Sequence, residues 1–152
     1  MPAHSLLSDQ CHFQYMTYMN LEEINKIELK YLQFRDYLEI KNTMIAAYPS
    51  LQNAYWEENQ IKSLLKKFPE GQVVIKVNGK IAGCALAIIV THDDFNKNHT
   101  YKEITADYTF DSHTSDGDTL YGIDIFINPE YRGLRLGRRL YDYRKELCEK
   151  LN

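Results

Sequence analysis

Ile27, Leu29 and Tyr31 alternate with Glu28 and Lys30, the two-residue period of a half-buried strand. From Phe34 the period lengthens. Phe34, Tyr37, Leu38, Met44, Ile45 and Tyr48 fall on one face at helical spacing, and Pro49 ends the run. A second helix is clearer. Ile61, Leu64, Leu65 and Phe68 follow i, i+3, i+4, i+7, Glu57 and Glu58 stand at its positive end, and Pro69 and Gly71 stop it. Two strands come next. Val73–Val77 runs into Asn78-Gly79, a hairpin signal because both residues tolerate positive φ. The return strand, Lys80–Val90, is almost wholly apolar, which predicts burial on both faces, with Gly83 a bulge or a point of close approach. Residues 120–127 read as another strand. Leu136, Leu140, Tyr143, Leu147 and Leu151 line one face of a last helix.

Two stretches carry no clean period. Residues 1–25 mix aromatic and polar positions and read as an N-terminal arm, with the folded domain spanning 26–152. Residues 91–118 are too long for a silent connection, so they hold either a strand at 101–110 or a functional loop.

Composition narrows the class. The 152 residues are 44% hydrophobic and 26% charged, enough for one globular core and unlike collagen, disordered chains or coiled coils. The longest apolar run, 84–90, is far short of the ~20 residues a membrane helix needs. A net charge of −3 argues against a general nucleic-acid binder. Cys11, Cys84 and Cys148 form no CxxC pair, and no basic-then-apolar leader opens the chain. A reducing cytoplasm is the expected location. Cys84 and Cys148 sit on apolar faces and read as core residues. Charge is unevenly spread. Residues 91–118 hold seven acidic residues against two lysines, whereas 128–152 hold seven Lys or Arg against four acidic residues.

The chemistry concentrates in residues 120–147, which read strand, glycine-containing turn, helix. That arrangement aims backbone N–H groups and a helix dipole at one point, where a phosphate or pyrophosphate fits. Arg132, Arg135, Arg138 and Arg139 crowd the same end and oppose the dipole unless a polyanion binds. Alternatively the arginines are solvated or pair with Glu130 and Asp142. Asp124 lies among apolar neighbours in the strand, either as a general base or as an ion-pair partner. Asp111, His113, Asp116 and Asp118 suggest a cation site, with aspartate oxygens at alternating positions beside a glycine, but the twelve-residue calcium pattern is absent and a solvated turn is the expectation. His92, His99 and His113 have no i, i+4 partner, so no metal site is expected. His92, His99, Tyr101 and Glu103 either line an acceptor pocket or are simply solvated. Trp56 is read as core, with a pocket wall as the other option.

The segment Arg132-Gly133-Leu134-Arg135-Leu136-Gly137 resembles the acyl-CoA signature of the GNAT acetyltransferase superfamily: Arg or Gln, two variable residues, Gly, one variable residue, then Gly or Ala. Arg135 stands where the family's middle glycine falls. The element order matches too, and residues 98–152 are similar to the GNAT domain that precedes a carbon–nitrogen hydrolase (nitrilase-like) domain in bacterial fusion proteins. The resemblance implies an α/β (α+β) GNAT-like acyl-CoA N-acyltransferase fold, a mixed, mostly antiparallel sheet flanked by helices. It implies acetyl-CoA as cosubstrate, held by Ile125, Phe126 and Ile127 of the strand and by Arg132, Gly133, Leu134, Arg135, Leu136, Gly137 and Arg138 of the turn. It implies acetyl transfer to a small amine or a lysine, with Asp124 as the candidate base. The alternative is a non-catalytic acyl-CoA sensor or assembly module beside a hydrolase. Against the family pattern the chain stops after the signature helix, which leads us to expect a fragment of a longer protein and a homodimer.

Overall fold

A computed structural model describes residues 23–152 apart from Asn53 and Asn96. Most of the arm expected over 1–25 therefore lies outside the described residues. The elements are β1 (Ile27–Tyr31), α1 (Tyr37–Ala47), α2 (Glu58–Lys67), β2 (Val73–Val77), β3 (Lys80–Val90), α3 (Tyr101–Ile104), β4 (Thr119–Ile127) and α4 (Leu136–Leu151). The sheet order is β1-β2-β3-β4, and every pairing among the described strands is antiparallel. Helices α1 and α2 cover one face, through Ile40, Met44, Ile61 and Leu64. Helix α4 covers the other, through Leu136, Leu140 and Leu147. No helix among the described residues is long and apolar enough to cross a membrane.

The hairpin forms where Asn78-Gly79 predicts it, with φ of 49° and 82°. Asn78 also anchors the chain entering β1. Its Oδ1 accepts the N–H groups of Asn25 and Lys26, and its Nδ2 donates to the Glu23 carbonyl. Strand β3 is buried on both faces, as its apolar run requires. A Cβ at Gly83 would stand 2.4 Å from Ile127 Cδ1 and 2.9 Å from the Phe126 carbonyl oxygen. The β2–β3 register shifts beside it, so Gly83 serves both purposes foreseen for it.

Three expectations need correction. In α1 the buried residues are Tyr37, Ile40, Thr43 and Met44, while Leu38 is 68% exposed and Ile45 41%. A 3-10 turn over Phe34–Asp36 precedes the helix. Phe34 stacks on Tyr37, with ring centroids 6.2 Å apart, and itself stays 41% exposed. In α4 it is Leu147 that enters the core, so Cys148, one position on, is exposed. The strand offered for 101–110 does not form. Thr100 caps α3, accepting the Glu103 N–H while the Glu103 carboxylate accepts the Thr100 N–H. Beyond α3 the backbone turns left-handed at Ala106, Asp107, Tyr108 and Phe110, with φ between 50° and 63°. Each such residue costs about 1–2 kcal/mol. Tertiary contacts hold the loop in place: Phe110 is fully buried, and the buried Thr105 hydroxyl donates to the Tyr101 carbonyl and accepts the Tyr108 N–H.

Candidate active site

Strand β4 is irregular at its centre. Leu86 pairs with Asp124 and Ala87 with Gly122, which leaves Ile123 as an extra residue. A bulge of this kind re-aims the side chains beside it. Ile123 is buried among the residues of α1 and α2, and the Asp124 carboxylate reaches the same side. There Tyr48 O–H donates to Asp124 Oδ1 at 2.8 Å, and Trp56 Nε1–H donates to Oδ2 at 3.1 Å. Tyr48 ends α1 and Trp56 precedes α2, so two segments converge on one carboxylate. Burial, and then the adjacent Asp124 charge, push the Tyr48 phenol far above its ordinary value.

Arg144 of α4 supports the bulge from the opposite face. Its Nη2 donates to the Leu86 carbonyl at 2.7 Å and to the Asp124 carbonyl at 3.0 Å. Those two residues face each other across β3 and β4, so one guanidinium nitrogen bridges the strands where their ladder is disturbed. Gly122 makes the approach possible, because a Cβ there would stand 2.7 Å from Arg144 Nη1. Burial works against the Arg144 charge and lowers its pKa. Its Nε is buried without a hydrogen-bond partner. The remaining bulge carbonyl, of Ile123, accepts the Tyr101 hydroxyl at 2.6 Å.

An aromatic cluster surrounds this centre. The Trp56 ring lies 6.5 Å from Tyr101, 6.3 Å from Tyr108 and 5.4 Å from Phe110, and Tyr101 lies 6.4 Å from Tyr121. Such tilted pairs stabilise beyond their buried area. The left-handed loop is thereby packed on the indole that holds Asp124. Trp56 packs against the core, as expected, and its indole N–H also binds Asp124.

The turn after β4 leaves the first backbone N–H groups of α4 open beside several arginines. Asn128 Oδ1 accepts the Glu130 N–H, Pro129–Tyr131 form a 3-10 turn, and Arg132 follows it. Gly133 (φ 87°) and Arg135 (φ 55°) are left-handed, and Arg135 is the N-cap of α4. The first N–H groups of a helix lack intrahelical acceptors. Around them Arg132, Arg135, Arg138 and Arg139 are all exposed. A Cβ built at Gly133 or Gly137 meets no atom within 4 Å, so the ground before the turn is open. Asp142, one proposed partner for the arginines, lies 4.0 Å from Lys145 instead. Not every residue of this stretch faces outward. Phe126 and Leu136 are core side chains, and Ile125, Ile127 and Leu134 pack on the α4 side. Ile125, Ile127 and Leu134 stay partly exposed, and the Ile125 carbonyl accepts the Tyr48 hydroxyl at 3.3 Å.

Most of the other candidates have structural employment. Asp111 pairs with Lys67 at 2.7 Å. Asp118 Oδ1 accepts the His92 N–H and the Thr119 hydroxyl. His113 Nδ1 accepts the Ile89 N–H. Burial pushes the Cys84 thiol far up, which makes it a poor nucleophile. Glu103 is spent on the α3 cap, and Tyr101 on the Ile123 carbonyl. His92 and His99 do line one cavity together.

The signature turn, the bulged strand and the flanking helices together define an acyltransferase-like α/β domain. Residues 32–152 match the model of the Acetyltransferase (GNAT) family, and the chain belongs to that family. It is 31% identical over 127 residues to the probable hydrolase YhcX of Bacillus subtilis (strain 168), covering 84% of this chain and 24% of that protein. It is 36% identical over 99 residues to the uncharacterized N-acetyltransferase YkwB of the same organism, covering 65% of this chain and 44% of that one. The chain thus spans less than half the length of either relative. Among solved structures it resembles the loading GNATL domain of CurA from Lyngbya majuscula, with a TM-score of 0.68 at 20% identity over 82% of this chain and 59% of that one. It also resembles the GphF GNAT-like decarboxylase solved with isobutyryl-CoA, with a TM-score of 0.64 at 15% identity over 76% and 56%. At these identities the structures share the fold.

Proposed function

We propose that this chain binds acetyl-CoA and transfers the acetyl group to a primary amine. The observation that carries the reading is the turn over residues 132–138. Two left-handed residues open α4, and four exposed arginines ring its N-terminus. In this reading the amides of Gly133, Arg135, Gly137 and Arg138 receive the pyrophosphate and the arginines neutralise its charge. The backbone of 125–127 runs beside the pantetheine arm. The neighbouring GphF structure holds an acyl-CoA, which supports a ligand of that class.

The reaction is direct transfer. The amine nitrogen forms a bond to the thioester carbonyl carbon, the carbon–sulfur bond breaks, the sulfur leaves as thiolate and takes up a proton, and the amine gives one up. In this reading Asp124, whose carboxylate accepts from Tyr48 and Trp56, orients the incoming ammonium and accepts its proton. Calorimetric titration of the chain with acetyl-CoA is the test. Saturable binding that Arg132→Glu weakens about tenfold or more supports the reading. Folded protein that takes up no acetyl-CoA refutes it, and binding without turnover on any amine points to a sensor.

A further inference from the structure

The sheet ends on β1, whose one neighbour among the described strands is β2. The Leu32 N–H donates to the Gln72 carbonyl, and the Asn78 N–H donates to the Lys26 carbonyl. The backbone of Lys26 and Leu32 thus faces β2. By the two-residue alternation of an antiparallel ladder, so does that of Glu28 and Lys30. The N–H and C=O groups of Ile27, Leu29 and Tyr31 therefore point the other way, and no described strand pairs with them. Space is open beside them: a groove of about 450 Å³ runs past Leu29, Lys30 and Tyr31 to Arg35 and Tyr143. The described residues before β1 do not follow this edge, because Asn78 holds the Asn25 and Lys26 N–H groups against the β2–β3 turn.

The strand is complementary to itself. About a two-fold axis at Leu29, antiparallel pairing sets Ile27 opposite the partner's Tyr31 and Leu29 opposite the partner's Leu29. These are the residues with outward backbone groups, so the three pairs exchange about six hydrogen bonds. Their side chains share one face, where Ile27 and Leu29 are half-buried against the α4 side and Tyr31 is 56% exposed. On the other face Glu28 stands opposite the partner's Lys30, and Lys30 opposite the partner's Glu28. Pairs at such non-hydrogen-bonded positions bring their side chains closest, and opposite charges there are stabilising. The neighbouring registers are disfavoured. One sets Glu28 against the partner's Glu28 and Lys26 against the partner's Lys30. The other sets Lys30 against the partner's Lys30. Like charges directly opposite repel, so the charges select a single register.

We infer that β1 is the interface for a second copy of this chain, paired in that register, which joins two four-stranded sheets into one. Asp124 lies on β4, at the opposite edge of the sheet. The pairing therefore does not involve the candidate site, and the inference stands apart from the acetyl-transfer reading.

Sedimentation velocity is expected to show a species of twice the mass of one chain, its fraction rising with concentration. Glu28→Lys and Lys30→Glu each set like charges opposite one another at both symmetry-related pairs. Each is expected to raise the dissociation constant about tenfold or more. An equimolar mixture of the two variants restores opposite charges at both pairs and is expected to dimerise as the unaltered chain does. Leu29→Pro removes an N–H that makes no bond within the sheet, and is expected to give a monomer with an unchanged circular dichroism spectrum. A chain that is monomeric at every concentration overturns the assignment. So does a dimer that neither charge variant weakens, or one that folded Leu29→Pro retains. Weakened single variants whose mixture fails to recover the dimer overturn the register.

Discussion

Arg144→Ala removes two hydrogen bonds from a charged donor to the Leu86 and Asp124 carbonyls. Each is worth about 1.5–3 kcal/mol. Against this stands the relief of desolvating a buried guanidinium, which already lowers its pKa. The net expectation is a loss of about 2–4 kcal/mol, or roughly 5–15 °C in Tm for a domain of this size. The sharper test is its coupling to Gly122→Ala. In the native protein the new Cβ would stand 2.7 Å from Nη1, so the guanidinium must withdraw and much of the same stabilisation goes with it. With Arg144 already truncated, no such atom is there. Gly122 does not have positive φ, so alanine should then be neutral or stabilising by about 0.5 kcal/mol. Urea unfolding of the two single variants and the double variant measures the coupling, expected to exceed about 1 kcal/mol. If Gly122→Ala costs the same in both backgrounds, the guanidinium does not occupy the space beneath the bulge.

Other outcomes follow from single residues. Arg135→Gly should raise stability by about 1 kcal/mol, because φ at 55° disfavours any side chain, while lowering acetyl-CoA affinity through the lost charge. Arg135→Gln keeps the strain and should show only the second effect, by denaturation and calorimetry. His113 accepts the Ile89 N–H, and burial followed by the Lys67 charge holds its pKa below 6.5. A folded value below the unfolded one means its contribution is whole above about pH 6.5 and is lost as pH falls through the folded value. His113→Gln should flatten that part of the stability profile, and parallel profiles for the two proteins would contradict the assignment. Asn78→Gly keeps the turn but loses the contacts to Glu23, Asn25 and Lys26, costing about 1–3 kcal/mol. Asn78→Ala should cost more, because alanine also resists the left-handed turn.

What the sequence disclosed was local. Asn78-Gly79 announces its turn because two adjacent residues suffice to form it, and Arg132 to Gly137 announce theirs for the same reason. The helix-facing positions of α2 were legible because Ile61 and Leu64 repeat cleanly. The centre of the site was not legible. Tyr48 and Trp56 lie 76 and 68 residues from Asp124, and Arg144 lies 58 from Leu86, so no window along the chain contains both partners. One local signal for the site does stand in the sequence. Gly122 inside an otherwise bulky strand marks the bulge and the approach of Arg144, just as Gly83 marks its own. The loop over 106–110 gave no signal, since it contains no glycine to betray its handedness.

That loop has a consequence of its own. Ala106, Asp107, Tyr108 and Phe110 take backbone angles that are the mirror image of a right-handed turn, the conformation their D-enantiomers would choose unaided. Its shape is therefore imposed from outside, by Phe110 in the core, by Thr105, and by Tyr108 against Trp56. A segment held this way behaves as a compressed spring. Loosening any one contact lets it relax towards right-handed or extended backbone, at a free energy well below that of global unfolding. Its amides should be among the first of the buried shell to exchange with deuterium. If a ligand binds beside Asp124, against the rings that Tyr108 packs on, their protection is expected to rise, and deuterium exchange with and without acetyl-CoA measures it.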